Sequence, residues 1–214
     1  MQDKRVALIT GANQGVGLQV AKELVANGLS VLVGSRNFAR GEAAAKEIGS
    51  GAIALQLDVT DRVSIAAAAE RVRKEFGHLD LLVNNAAISN TRKGSLSLQE
   101  YARITLASNA SLDELRAVWE TNVFGVLAVY QAMLPLLRKS SAARIVNVSS
   151  GVGSLTTNAD PAHRYHALYS PVYPASKAAL NAITLAMMVE LESTGIKVNL
   201  ASLPGLYQDE PQRI

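Results

Sequence analysis

Arg5-Val6-Ala7-Leu8-Ile9-Thr10-Gly11-Ala12-Asn13-Gln14-Gly15-Val16-Gly17 reads as a short apolar strand running into a glycine turn, and Leu18 to Asn27 continues with helical periodicity. Each glycine has a task in such a unit. Gly11 permits the tight turn, Gly15 lets backbone N–H groups approach a pyrophosphate, and Gly17 lets the helix pack close to the strand. The helix N-terminus then offers partial positive charge to the phosphates. Gly11, Asn13, Gln14, Gly15, Val16 and Gly17 are therefore candidates for cradling a dinucleotide. Glycine turns without a ligand also exist, but the flanking strand and helix are the context that phosphate binding requires.

Outward from this unit, apolar runs and helical stretches alternate. Strands are expected near 5–10, 30–35, 52–57, 79–83, 143–149 and 196–201, with helices near 15–27, 39–48, 61–76, 112–138 and 172–194. Strict alternation implies parallel strands joined by right-handed crossovers. The expected fold class is α/β, a doubly wound parallel sheet of the Rossmann type, with residues 1–214 as one domain. Thr10, Ser35, Asp58, Asn85 and Ser150 all fall at predicted strand ends, where the ligand crevice of such a sheet lies.

Tyr173-Pro174-Ala175-Ser176-Lys177 places a phenol and an ammonium four residues apart. In a helix four residues advance about 400°, so both side chains share one face. A cation there favours the phenolate and brings a group that ordinarily titrates near pH 10 towards neutrality. The same spacing also suits an ordinary surface pair. Pro171 and Pro174 place the tyrosine close to a helix start, where proline is tolerated.

Taken together, these motifs resemble the short-chain dehydrogenase/reductase family. Its T-G-x-x-x-G-x-G stands at Thr10 to Gly17 and its Y-x-x-x-K at Tyr173 to Lys177. Asn84-Asn85-Ala86-Ala87 is similar to its N-N-A-G, with Ala87 in place of glycine. Leu57-Asp58-Val59, Asn122-Val123-Phe124-Gly125 and Ile145-Val146-Asn147-Val148-Ser149-Ser150 match further, in family order, so the resemblance runs from about residue 4 to 205. Arg36, Arg40-Gly41 and the long gap from Ser150 to Tyr173 look like the NADPH-dependent carbonyl reductases within it.

The resemblance implies hydride transfer between NADP(H) and a carbonyl or alcohol. Tyr173 would supply the proton, Ser150, the second of the serine pair, would bond the carbonyl oxygen, and Lys177 would bind the nicotinamide ribose and lower the tyrosine pKa. Asn122 would hold a water linking Lys177 to solvent. Asp58 would accept from the adenine amino group with the Val59 backbone beside it, and Asn85 would contact a ribose, whereas Asn84 is equally readable as holding the strand end. Pro204-Gly205 resembles the turn over the nicotinamide. Asp61 reads as a helix cap. Ser35 brings no carboxylate to the ribose hydroxyls, and the Arg36 guanidinium that follows can grip a 2′-phosphate, with Arg40 as a second cation, so NADP(H) is expected over NAD(H). Arg36 is also readable as an exposed loop arginine, and Gln14 stands where many NADP-preferring relatives carry a basic residue.

Composition narrows the classes. Hydrophobic residues make up 49% and charged residues 18%, which fits a globular protein. With no cysteine there is no disulfide and no thiolate chemistry, and a reducing compartment is permitted; the location expected from the sequence as a whole is cytoplasmic. No apolar run of membrane-span length is apparent and no apolar leader precedes the first strand. The net charge of +3 is scattered, so no nucleic-acid partner is expected. His163 and His166 lack a visible carboxylate or thiol to complete a metal site, so no metal is expected. The expected partner is a small carbonyl or alcohol, bound under the segment Gly151 to Tyr169 and beside the polar segment Ser89 to Ser111. Either a monomer or a homo-oligomer fits.

Relatives continue past the position of Gly205 through a substrate-loop helix and a further strand, so a sheet lacking that strand is expected here, with a frameshift after Gly205 as one explanation that sequencing of the coding DNA would test. A catalytically weak dinucleotide-binding remnant is the alternative reading. A purely structural module would leave the joint presence of Tyr173, Lys177, Ser150 and Asn122 without a reason.

Overall fold

The structure is a computed structural model that describes residues 4–91, 97–163 and 166–202. Its strands are β1 (Val6–Thr10), β2 (Ser30–Ser35), β3 (Ala52–Gln56), β4 (Leu81–Asn84), β5 (Arg144–Ser149) and β6 (Lys197–Ser202). They form one parallel sheet in the order β3-β2-β1-β4-β5-β6. The α/β, Rossmann-type expectation holds. After β3 the chain crosses back over β1 to place β4, and this reversal of strand order makes the switch point at the carboxyl ends of β1 and β4 where the crevice of such a sheet lies.

The helices are α1 (Gly15–Ala26), α2 (Phe38–Ile48), α3 (Arg62–Glu75), α4 (Leu98–Ile104), α5 (Leu112–Trp119), α6 (Gly125–Leu137), α7 (Leu155–Ala159) and α8 (Tyr173–Leu191). All of β1 is buried, and its alternate residues feed two cores, as the two-residue period of a strand requires. Ala7 and Ile9 pack with Ala21, Val31, Val33 and Ala44 under α1 and α2. Val6 and Leu8 pack with Ile65, Val72, Val129, Met133, Leu180 and Met187 under α3, α6 and α8. Helix starts are capped as their sequences suggest: Asn37 accepts from Arg40 N, and Asp61 from Val63 N.

Three features differ from expectation. The stretch expected as one helix over 112–138 is broken by a π-helical turn, Glu120–Phe124, between α5 and α6. Helices α4 and α7 lie in segments read as loops. Counted through, Leu112–Leu137 is 26 residues and holds an 18-residue window of mean hydropathy 1.2, long and apolar enough by length and composition to cross a membrane, where no such run was expected. Half of that window is buried inside the protein, with Val126, Val129, Met133 and Leu137 in the core.

Candidate active site

Thr10 ends β1 and organises the glycine turn. Its hydroxyl oxygen accepts from the backbone N–H groups of Asn85 and Ala86, both at 3.0 Å. In return Asn85 Nδ2 donates to the carbonyls of Thr10 (3.0 Å) and Gly11 (3.2 Å). The turn is thus clamped to the end of β4 across the switch point. Gly17 faces this clamp: a Cβ there would lie 2.5 Å from Asn85 Nδ2 and 2.8 Å from the Gly11 carbonyl. Gly15 is the open side, where a Cβ would meet nothing within 4 Å. It opens the 12-residue α1, which has no acidic residue in its first turn to compete for an anion. The cradle therefore fits a pyrophosphate. Because its amide nitrogen is committed to the turn, any contact of Asn85 with a ribose falls to Oδ1. Asn84 is structural: its Nδ2 donates to Asn147 Oδ1 at 2.8 Å, and Asn147 Nδ2 donates on to Thr184 Oγ1 at 2.9 Å.

At the end of β2, Ser35 is buried and donates to the Asn37 carbonyl at 2.8 Å. Arg36 and Arg40 are exposed, and neither takes part in an ion pair among the described residues. Gln56 Nε2 holds the Arg36 carbonyl at 2.9 Å, which shapes the loop under the guanidinium. Beyond β3, Asp58 Oδ1 accepts from Thr60 N (2.9 Å) and Thr60 Oγ1 (2.7 Å), while its own N–H donates to Ser64 Oγ at 2.9 Å. Val59 is buried beside it.

The chemical groups gather where β5 meets α8. Tyr173 is the first residue of α8, with Pro174 following it in the first turn. Lys177, one turn on, places Nζ 5.7 Å from the tyrosine ring centroid and donates to the Val148 carbonyl at 2.8 Å. The residue is 2% exposed, and burial pushes its pKa down to about 8. Ser149 closes β5, and Ser150 follows it, half-buried, with Oγ accepting a long 3.4 Å bond from Val152 N. That bond uses a lone pair and leaves the serine proton available to donate.

Asn122 sits in the π-helical turn, fully buried. Its Oδ1 accepts from Ile88 N and its Nδ2 donates to the Ile88 carbonyl, both at 2.9 Å, while Nδ2 also donates to Ser176 Oγ at 3.0 Å. Ser176 Oγ in turn donates to the Tyr173 carbonyl at 2.7 Å. Asn122 is thus joined to the first residue of α8 through one serine. Trp119 Nε1 donates to the Pro171 carbonyl at 3.1 Å, so α5 also steadies the approach to α8.

Sequence reasoning missed Ser176, Asn181 and the clamping role of Thr10. Both carried a signal of place: Ser176 stands three residues after Tyr173, and Asn181 stands four after Lys177, on the face that Tyr173 and Lys177 begin. Asn158 and His166 pair across the segment after Ser150, with His166 Nδ1 at 2.8 Å from the Asn158 carbonyl. Among the described residues no three His, Asp or Glu side chains cluster as metal ligands do. Pro204 and Gly205 lie outside the described residues, as do Arg164 and Tyr165.

Comparison with known proteins is consistent with this geometry. A short-chain dehydrogenase from Penicillium roqueforti is 38% identical over 211 residues, which are 94% of this chain and 78% of that protein. A short-chain dehydrogenase structure from Streptomyces avermitilis superposes with a TM-score of 0.76 at 29% identity, over 94% of this chain and 66% of that one, so the chain spans just under two thirds of that relative. A metagenomic short-chain oxidoreductase in complex with NADP gives a TM-score of 0.75 at 26% identity, covering 94% and 83%. The family model for short chain dehydrogenase aligns with residues 5–209, which reach from β1 to beyond β6, and the chain therefore belongs to the short chain dehydrogenase family of oxidoreductases.

Proposed function

We propose that this protein moves a hydride between NADP(H) and a carbonyl or alcohol substrate, in the manner of a carbonyl reductase. The observation that carries the reading is the buried Lys177 ammonium one helical turn from the Tyr173 phenol, at the sheet end where Ser150 emerges. When bound, the dinucleotide supplies the hydride acceptor or donor. Ser150 donates its proton in a hydrogen bond to the substrate oxygen and holds it in line. Tyr173 passes a proton to that oxygen as it becomes an alkoxide, or takes one in the reverse direction. Lys177 remains charged below about pH 8 and stabilises the phenolate left behind. Asn122 fixes the start of α8 through Ser176; with both its amide hydrogens committed, the relay water expected of this residue falls to its main chain.

Preference for NADP(H) is part of the proposal. It is supported by the exposed Arg36 after β2, by the lack of a carboxylate at Ser35, and by a structural relative described in complex with NADP. A cytoplasmic location belongs to the same proposal. The test is NADPH oxidation with 4-nitrobenzaldehyde or an aromatic quinone. Tyr173→Phe is expected to lower the rate by about 10²–10⁴-fold, and full activity in that variant would remove Tyr173 as the acid.

A further inference from the structure

We infer that Asn181 is a positioning residue for Ser150, strapping both flanks of that serine to the helix that carries Tyr173 and Lys177. The inference rests on the reading above that Ser150 holds the substrate oxygen. Asn181 Oδ1 accepts from Ser149 Oγ at 2.5 Å, and Nδ2 donates to the Gly153 carbonyl at 3.2 Å. A carbonyl only accepts, which fixes the end of the amide that faces Gly153. Ser150 lies between these two anchors.

The spacing makes one device of the three residues. Tyr173, Lys177 and Asn181 recur every four residues, so they form one stripe along α8. The stripe meets the end of β5 in step: Lys177 reaches the Val148 carbonyl at 2.8 Å, and Asn181 reaches the Ser149 hydroxyl. Beyond Ser150 the chain closes a tight turn, with Gly153 N donating to the Ser150 carbonyl at 2.9 Å. That turn rests directly on α8, since a Cβ on Gly153 would lie 2.8 Å from the Lys177 carbonyl carbon. Ser150 follows the last residue of its strand, so the neighbouring ladder does not by itself fix its side chain. Asn181 supplies the missing constraint and refers the serine to the same backbone that positions the phenol.

The test is a double-mutant cycle on the intact protein with NADPH and 4-nitrobenzaldehyde. Asn181→Leu, which removes both bonds at similar volume, is expected to lower kcat by about tenfold with dinucleotide affinity unchanged. Combined with Ser150→Ala it is expected to add nothing, because the strap acts through the serine. Losses that multiply overturn the inference. Amide hydrogen exchange gives an independent readout. Residues 150–154 are expected to exchange faster in Asn181→Leu, and unchanged protection there overturns the strap even when activity falls. If Asn181→Leu does not fold, Asn181→Asp keeps the acceptor for Ser149, removes the donor to Gly153 and enters both measurements. A wild-type protein without turnover sinks the functional reading, and the exchange experiment then decides the strap alone.

Discussion

Replacing Lys177 by methionine keeps an unbranched stem, one atom shorter, and removes the charge. In the native protein Lys177 is 2% exposed, and burial lowers its pKa from the usual 10.5 to about 8. In the unfolded chain it titrates near its ordinary value. Between the two pKa values the unfolded chain binds a proton that the native state has released, so native stability rises with pH across that window. Below about pH 8 both states are charged and the burial penalty is fully present; above about 10.5 both are neutral and it is gone. A depression of this size corresponds to about 3 kcal/mol. Losing the partner of the Val148 carbonyl costs the variant about 1–3 kcal/mol at every pH, so the slope carries the test and the intercept does not. Urea unfolding of both proteins without dinucleotide, from about pH 7 to about pH 11, is expected to show wild type gaining about 3 kcal/mol on Lys177→Met. A stability difference that stays flat would refute a charged, buried ammonium in the native state.

Gly17→Ala is expected to destabilise the protein by about 1–3 kcal/mol and to weaken NADPH binding, because the new methyl would lie 2.5 Å from Asn85 Nδ2 and 2.8 Å from the Gly11 carbonyl. Urea midpoints and a dinucleotide fluorescence titration check both effects, and wild-type values in both would mean the clamp yields easily. Arg36→Ala should leave unfolding of the dinucleotide-free protein unchanged, since the side chain is exposed. Its thermal shift with NADPH should fall to that with NADH, a loss of about 1.5–3 kcal/mol of binding. Equal shifts for the two dinucleotides in the wild type would remove Arg36 as the selecting group.

Most of the sheet was legible because each strand is a short apolar run bounded by turn residues, and the expected ranges fall within two residues of those observed. The break at Glu120–Phe124 was not legible. A π-helical turn carries no composition signal of its own, and the bonds made from it are remote: Asn122 is turned inward to pair with both backbone groups of Ile88, 34 residues away. Helix α4 was missed although its signal is present. Ser97-Leu98-Gln99-Glu100 forms a reciprocal cap, with Ser97 N donating to Glu100 Oε2 at 2.9 Å and Glu100 N to Ser97 Oγ at 3.2 Å. The same signature at Ser111 to Glu114 misleads in part, because Glu114 turns away and accepts from Thr91 N at 2.6 Å. In the site, the Tyr173 and Lys177 pairing follows from spacing alone. The commitments of Asn85 and Asn181 do not, since an amide carries no sequence mark of the partner it will choose.

The clamp around Thr10 bears on how the protein is made. As the chain leaves the ribosome, β1, α1 and β2 emerge in order with the glycine motif complete, yet the N–H groups that hold the Thr10 hydroxyl belong to Asn85 and Ala86. Between them the chain must build β2, α2, β3 and α3 and then return across β1. Until β4 docks, the Thr10 and Gly11 carbonyls lack the Asn85 amide. A nascent chain stalled before Leu81 therefore has the glycine motif without the clamp that shapes it.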